Sequence, residues 1–383
     1  MKIAFESQLF LKGNKTGIPW FADNIIKELA QMPDCECQCD FFSAGCSREQ
    51  LKEVEKYKEF GISMNSCRWF HNVFYKLLWP FVHLPYHCFF GSNREITQFF
   101  NFVVPPGVRG KSVTVIHDMA YMAYPETVNK KTRNWLRLTM KGSCRRADAV
   151  VTVSEFSKGE IIHYLGVSPE KITVVYNGVD LGVYRPDYSE DQVEQAKKKY
   201  HIEGEYFLYL GTLEPRKNVE RIIEAYALLK EEGNAQLPFL VIAGGKGWLY
   251  ETIFERVKEL DLENQIIFTG YVAEPDVPLL MNGAKAFLFP SLYEGFGIPP
   301  IEAMACGTAV ITSNAASLPE VVGEAAIKVD PYRIDELAAA MWQIASDDEL
   351  RERLRKTGLE HVQKYTWHNA AVTMRALYDR LLR

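Results

Sequence analysis

The sequence predicts an α/β fold, built as two doubly wound parallel-sheet domains that face each other. Three observations carry that prediction. Short apolar runs alternate with amphipathic helical runs along nearly all of the 383 residues, the pattern of βα units. The alternation breaks at LGVYRP, 181–186, passes through the polar stretch DYSEDQVEQAKKKYHIEGE and then starts afresh, as at a junction between domains. Each unusual cluster also falls just past the end of an apolar run, where open α/β sheets bind ligands. These clusters are His117-Asp118, Asn177-Gly178, Gly211 to Asn218, Gly244 to Gly247 and Ser291 to Gly297. A cleft between two sheets is therefore expected.

In chain order, the expected strands of the first half are 2–6, 36–42, 98–104, 112–117, 147–153 and 171–176. Those of the second half are 206–211, 238–244, 265–269, 285–290, 307–312 and 325–329. Helices fall between them. The spacing predicts one over 218–232, with Val219, Ile222, Ile223, Tyr226 and Leu229 on one face and Asn218 as N-cap. In CECQCD, Cys35, Cys37 and Cys39 alternate, which puts all three on one face of a strand. Reduced, half-buried thiols are expected there, because His71, His83 and His87 complete no zinc-ligand spacing with them. Cys306, inside AMACG, reads as a small core residue.

Composition narrows the function classes. Hydrophobic residues at 47% and charged ones at 24% are ordinary for a globular protein. A net charge of -5 argues against nucleic acid as a partner, since neutralising phosphates needs a basic face. No apolar run is long enough to span a bilayer, and MKIAFESQLF reads as a first strand. A cytoplasmic location is expected. The stretch 67–90 is dense in aromatics, with Arg68 and Lys76 among them. It reads either as a core helix and strand or as an interfacial helix in peripheral contact with a membrane. Pro80 and Pro85 interrupt a long amphipathic helix and favour the core.

Residues 291–320, SLYEGFGIPPIEAMACGTAVITSNAASLPE, carry the strongest chemical signal. An apolar run ends at Pro290, a glycine turn follows, and Pro299-Pro300 stand where a helix begins. Free N–H groups at a helix start, with the positive end of the helix dipole, seat phosphate. Glu294 and Glu302 flank the turn, and an ionised carboxylate accepts hydrogen bonds from vicinal hydroxyls. Phosphate and sugar hydroxyls together describe a nucleotide-sugar. Gly295 and Gly297 allow close backbone approach, and N–H groups from Phe296 to Ile298 are placed to donate. Glu302 alone would also fit a plain helix-start carboxylate favoured by the dipole, but that reading leaves the glycines unexplained. Arg216 and Lys217, in GTLEPRKN, lie past another strand end, where two cations suit a pyrophosphate. A phosphate-binding G-x4-G-K-[ST] loop is absent from the chain, which removes the kinase reading.

The 291–320 segment resembles the Glu-x7-Glu signature of retaining glycosyltransferases of family four, which have the GT-B fold. GTLEPRKN at 211–218, VTVSEFSK at 151–158, VVYNGVD at 174–180, VIHDMAYMAYPE at 115–126 and TGIPWFADNI at 16–25 extend the resemblance in the family's order. It implies that residues 1–183 form an acceptor-binding domain, onto which the C-terminal helix 365–383 crosses back. Residues 184–364 would then bind the nucleotide-sugar. It further implies that Glu294 holds the donor sugar and Glu302 the ribose. His117, with Asp118 beside it, would lie near the reacting sugar carbon as a contact rather than a general base. Gly13, Thr16 and Gly17 resemble the loop after the first strand that covers donor and acceptor. Gly211 and Thr212 would touch the donor, although many family members carry an arginine where Thr212 stands. Gly244 to Leu249 would shape the nucleotide pocket and Tyr271-Val272 would lie beside the base. Ser154 and Asn177 read equally as cleft residues or as a cap and a turn.

The expected activity is retaining transfer of a hexose, mannose from GDP-mannose being one candidate, to a glycan or lipid-linked acceptor in surface polysaccharide synthesis. No cofactor or metal is expected, since no Asp-x-Asp stands at a strand end. The alternatives are a sugar-nucleotide epimerase on the same fold and a non-catalytic binding protein.

Overall fold

The computed structural model describes every residue except 13–16, 80–81, 83, 234–236, 246 and 248–249. The chain divides into two compact units: Met1–Asn177 with Trp367–Arg383, and Gly178–Thr366. Each unit is a parallel sheet with helices on both faces, as βα connections require.

The first unit holds β1 (Lys2–Glu6), β2 (Glu36–Phe42), β3 (Ser63–Cys67), β4 (Ile96–Phe99), β5 (Lys111–Val115), β6 (Ala149–Thr152) and β7 (Ile172–Val174). Their order across the sheet is β3-β2-β1-β4-β5-β6-β7, so the winding reverses between β1 and β4. The strand β3, SMNSC, was not expected: it has one buried residue and none of the β-branched residues that mark strands. The run 98–104 was placed too late, since pairing with β1 and β5 uses Ile96 to Phe99. In β2, Cys37 and Cys39 are buried, but so are Gln38 and Asp40 on the opposite face. The strand is interior, and Asp40 is satisfied there by Gln38 at 2.7 Å, Asn65 at 2.8 Å and Tyr86 at 3.1 Å.

The second unit holds β8 (Tyr206–Leu210), β9 (Phe239–Ala243), β10 (Ile266–Gly270), β11 (Ala286–Phe289), β12 (Ala309–Ser313) and β13 (Ile327–Val329). Its order is β10-β9-β8-β11-β12-β13, and the winding reverses between β8 and β11. The expected face of the helix Val219–Glu231 (Val219, Ile222, Ile223, Tyr226, Leu229) is buried, in a cluster with Phe207, Leu240 and Ile311.

The C-terminal helix Trp367–Leu382 belongs to the first unit. Tyr378 is buried and donates its hydroxyl to Gln98 Oε1 at 2.8 Å, while Trp367 meets Phe21 edge-on. Within 67–90, Tyr75, Trp79, Tyr86 and Phe90 are core residues, as the core reading expects. The other side of the helix Asn72–Leu78 departs from it: Val73, Phe74 and Leu77 are 52%, 59% and 59% exposed, and Trp69 is 69% exposed. A helix this short buries only one row of side chains, and here that row is Tyr75 and Trp79.

Candidate active site

The second sheet's switch point collects the residues with the strongest chemical signal. The turn after β8 carries Gly211 to Asn218, and the turn after β11 carries Ser291 to Gly297. A backbone bond, Leu292 N–H to Arg216 O at 2.9 Å, joins the two turns. Asn218 is in the left-handed region at φ 63° and does not cap the following helix, contrary to expectation. Its amide instead donates to the Pro290 and Pro331 carbonyls at 3.0 and 2.8 Å, so it fastens β8's turn to β11's end.

This fastening brings Arg216, Lys217 and Glu294 together. Arg216 Nη1 donates to Glu294 Oε2 at 2.9 Å and Lys217 Nζ to Glu294 Oε1 at 2.6 Å. Arg216 also reaches the Tyr293 carbonyl at 2.6 Å and Glu214 at 2.7 Å, and Lys217 lies over the Phe289 ring at 4.9 Å. Burial pushes the Glu294 carboxyl up, but the two cations outweigh burial and hold it at about 2. The sequence reading placed the cations on a pyrophosphate and the glutamate on a sugar. The fold makes them one ion-paired cluster, in which each glutamate oxygen positions one cation.

Glu302 sits in a contrasting environment. It is the fifth residue of the helix Ile298–Ala305, in the second turn rather than the first, where the dipole effect has largely decayed. The plain helix-start explanation therefore fails for it. Burial pushes its carboxyl up to about 7, opposed only by a hydrogen bond from Tyr184. Tyr184 comes from the LGVYRP stretch, which the sequence reading treated as a junction. The helix start itself is leaner than expected. Pro299 and Pro300 have no N–H, which leaves Gly297 and Ile298 as the donors of the first turn. Gly297 has φ 93°, and a Cβ there would stand 2.6 Å from Leu318 Cδ2. The loop before it is pinned from β12 and beyond: Ser313 Oγ bonds the Ser291 carbonyl at 2.6 Å, and Ser317 Oγ lies 2.9 Å from Glu294 O and 3.0 Å from Phe296 O. Phe296 points its ring inward against Tyr365.

Gly211 and Gly244 explain each other. A Cβ on Gly244, at φ 139°, would stand 1.9 Å from the Gly211 carbonyl oxygen. Thr212 is exposed at this backbone crossing, and the Gly244 N–H bonds Gly270 O at 2.8 Å, next to Tyr271. Tyr271 is 72% exposed while Val272 is buried, so of that pair only the tyrosine ring presents a face.

In the first unit, His117 follows β5. Its Nε2 donates to Phe100 O at 3.0 Å, and Phe21 and Phe102 meet the ring edge-on. Desolvation pushes it down to about 4, against the Phe100 bond, so the imidazole is neutral at pH 7. Asp118 accepts from Ala120 N–H at 3.0 Å, a local turn rather than a dyad with His117. Ser154 caps the helix Glu155–Leu165, and Asn177 is buried at the end of the unit. Gly17, at φ 58°, begins the helix Ile18–Gln31. Gly13 and Thr16 lie outside the described residues. Asn218, Ser317 and Tyr184 were not among the expected site residues. The sequence around Tyr184, LGVYRP, reads only as a junction between domains, and nothing local shows its partner.

Comparison with known proteins gives the family and the fold. Residues 17–183 match the family model "Glycosyltransferase Family 4", and residues 191–361 match "Glycosyl transferases group 1". The chain is 35% identical over 270 residues to O-antigen chain mannosyltransferase B of Escherichia coli, covering 70% of each chain. It is 31% identical over 274 residues to the serotype-specific mannosyltransferase WbdA of Escherichia coli, where it spans 34% of that longer protein. The fold matches Anabaena HepE, solved with UDP and glucose, at a TM-score of 0.73 and 18% identity, covering 99% of this chain and 100% of HepE. Two family models end to end, with a relative 35% identical over 70% of both chains, show that this chain belongs to glycosyltransferase family 4 and has the GT-B fold.

Proposed function

We propose that the protein is a retaining, metal-independent hexosyltransferase that moves mannose from GDP-mannose to a growing surface polysaccharide. The cluster of Arg216, Lys217 and Glu294 at the β8/β11 switch point carries this reading. Negative charge develops on the departing diphosphate as the sugar–oxygen bond breaks. Two cations fixed beforehand by one carboxylate stabilise that charge without reorganising, the task a metal ion performs in other transferases. Glu302 accepts the ribose hydroxyls, Tyr271 offers a ring to the base, and the Gly297 and Ile298 N–H groups face a phosphate. Neutral His117 contacts the sugar and takes no proton. In same-face attack the leaving phosphate accepts the acceptor's proton. The names of the relatives in E. coli support mannose and O-antigen-type acceptors. The test is thermal melting with GDP, UDP and dTDP in turn, with EDTA present. The expected result is a shift with GDP alone, since ligand at a hundred times Kd stabilises by roughly 2.7 kcal/mol.

A second reading, peripheral contact with an anionic bilayer at the cytoplasmic face, is favoured by the surface of the first unit. The helix Asn72–Leu78, exposed on its apolar side, packs through its buried row on the helix Lys130–Arg146, which carries seven Lys/Arg and no Asp/Glu. The two meet where Trp79 touches Trp135 and Arg146 stacks on Trp79. Apolar side chains beside an unopposed basic face suit anionic headgroups over acyl chains. Two copies of the chain meeting through this face would set like charges against each other. Such contact would bring the enzyme to a lipid-linked acceptor.

A further inference from the structure

Asn218 follows Lys217 directly and opens the helix Val219–Glu231, but its side chain makes no cap bond to that helix. Its φ of 63° is a backbone conformation that glycine adopts most easily, with asparagine next. The turn alone would be met by glycine, and the side chain has other work. It is buried, and both amide hydrogens go to carbonyls of buried prolines at strand ends: Pro290 after β11 at 3.0 Å and Pro331 after β13 at 2.8 Å. Arg221 Nη1 donates to Asn218 Oδ1 at 2.7 Å, and the guanidinium lies over the Tyr332 ring at 5.2 Å. A guanidinium only donates and the two carbonyls only accept. Arg221 therefore keeps the amide oxygen on its own side and aims the NH2 group at the prolines.

The two cations before Asn218 are held differently. Arg216 has ties of its own to the turn after β11: its carbonyl accepts from Leu292 N–H at 2.9 Å, and its guanidinium donates to Tyr293 O at 2.6 Å. Lys217 N–H turns back onto Glu214 O at 3.0 Å, within its own turn. Its ammonium reaches Glu294 and the Phe289 ring at the end of a flexible stem. Asn218 joins the lysine's end of the turn to Pro290, the residue after Phe289. The amide thus fixes the root of the stem beside the ring on which the ammonium rests.

We infer that Asn218, oriented by Arg221, is a positioning residue for Lys217: it holds the ammonium where negative charge develops on the departing diphosphate. Lys217 has that task in the transferase reading, on which the inference rests. A fixed cation favours the transition state only where it stands in advance, and a displacement of about 1 Å can cost about a hundredfold in rate. A residue that served only the turn and the stability of the fold would act through neither cation. Glycine adopts this φ and lacks the amide, so Asn218→Gly separates the two roles.

Turnover is read on the full chain as GDP released from GDP-mannose by transfer to water, well below the melting temperature of every variant. Asn218→Gly is expected to lower kcat about tenfold or more, with donor KM within about twofold. Arg221→Met leaves the amide in place but frees its orientation; at a half-buried position it keeps the fold, and kcat should fall about threefold. Because Asn218 acts through Lys217, the double variant with Lys217→Met should fall no more than about threefold below Lys217→Met alone, whereas a stability role multiplies the two losses. A second readout needs no turnover. The Lys217 side chain is 14% exposed, so its rate of labelling by limiting acetic anhydride, read by peptide mass spectrometry, reports its position. Asn218→Gly should raise that rate about fivefold or more and leave unchanged Lys285, which pairs with Glu205 in the same unit. Unchanged kcat in Asn218→Gly, losses that multiply in the double variant, or unchanged Lys217 labelling overturns the inference. Faster Lys217 labelling in the variant, with no turnover of GDP-mannose by wild type, would keep the positioning and sink the donor reading instead.

Discussion

The contrast between the two glutamates makes Glu302→Gln the most informative substitution. Burial holds the Glu302 carboxyl at about 7 against an ordinary 4.5. A raised acid stabilises the fold while protonated. That contribution is fully present below pH 4.5 and is lost as pH rises through about 7. At about 1.4 kcal/mol per tenfold, the loss is roughly 3 kcal/mol by pH 8. Glutamine mimics the protonated acid in size and can still accept from Tyr184. Glu302→Gln should therefore exceed wild type by only about 1 kcal/mol near pH 5 and by roughly 3 kcal/mol at pH 8. For a unit of this size that is about 6–12 °C in Tm. The same change should weaken nucleotide binding, because a neutral amide is a poorer acceptor for two ribose hydroxyls. In wild type, donor affinity should fall as pH drops below 7, since the ribose needs the ionised form. Melting both proteins from pH 5 to 8, with and without GDP, reads all of this. A stability difference that does not change with pH would refute the burial argument. An unchanged GDP shift in the variant would remove Glu302 from the donor site.

Glu294 should behave in the opposite sense. Its carboxyl is held at about 2, so its contribution is present above pH 4.5 and lost only as pH falls through about 2. Glu294→Gln should destabilise at pH 7 by about 3 kcal/mol in urea unfolding, as breaking one partner of a buried cluster does, and should also cut turnover. Lys217→Met leaves Glu294 paired with Arg216. It should lower kcat by about a hundredfold or more with little change in donor KM, and an equal rise in KM alone would make the lysine a ground-state contact. Turnover should be the same with and without EDTA. Phe74→Asp with Leu77→Asp should abolish sedimentation with phosphatidylglycerol vesicles at low salt and leave Tm within about 2 °C, because both side chains are 59% exposed. Absence of vesicle binding by wild type would end the membrane reading.

The sequence by itself determined what depends on local order. Strand and helix periods, the glycine turns and Pro299-Pro300 at a helix start are short-range patterns, and eleven of the twelve expected strands stand close to their expected places, 98–104 being the exception. The strand β3 escaped because SMNSC acts through backbone pairing with β2, which needs no distinctive side chains. The C-terminal helix was legible only through family resemblance. Its burial against Phe21 and Gln98 joins residues from opposite ends of the chain.

The tertiary structure alone decided which of the named residues meet. Arg216 and Glu294 are far apart in sequence and each looked like an independent ligand contact. Their pairing follows from β8 and β11 lying side by side, with Asn218 fastening the turns. Glu302 and Glu294 are the same residue type eight positions apart. One is held charged by two cations and the other is pushed toward neutrality by burial. Sequence spacing records which groups are near one another along the chain. The charge state of a carboxylate depends on what the fold packs around it, and that is set by strand order and by the loss of water.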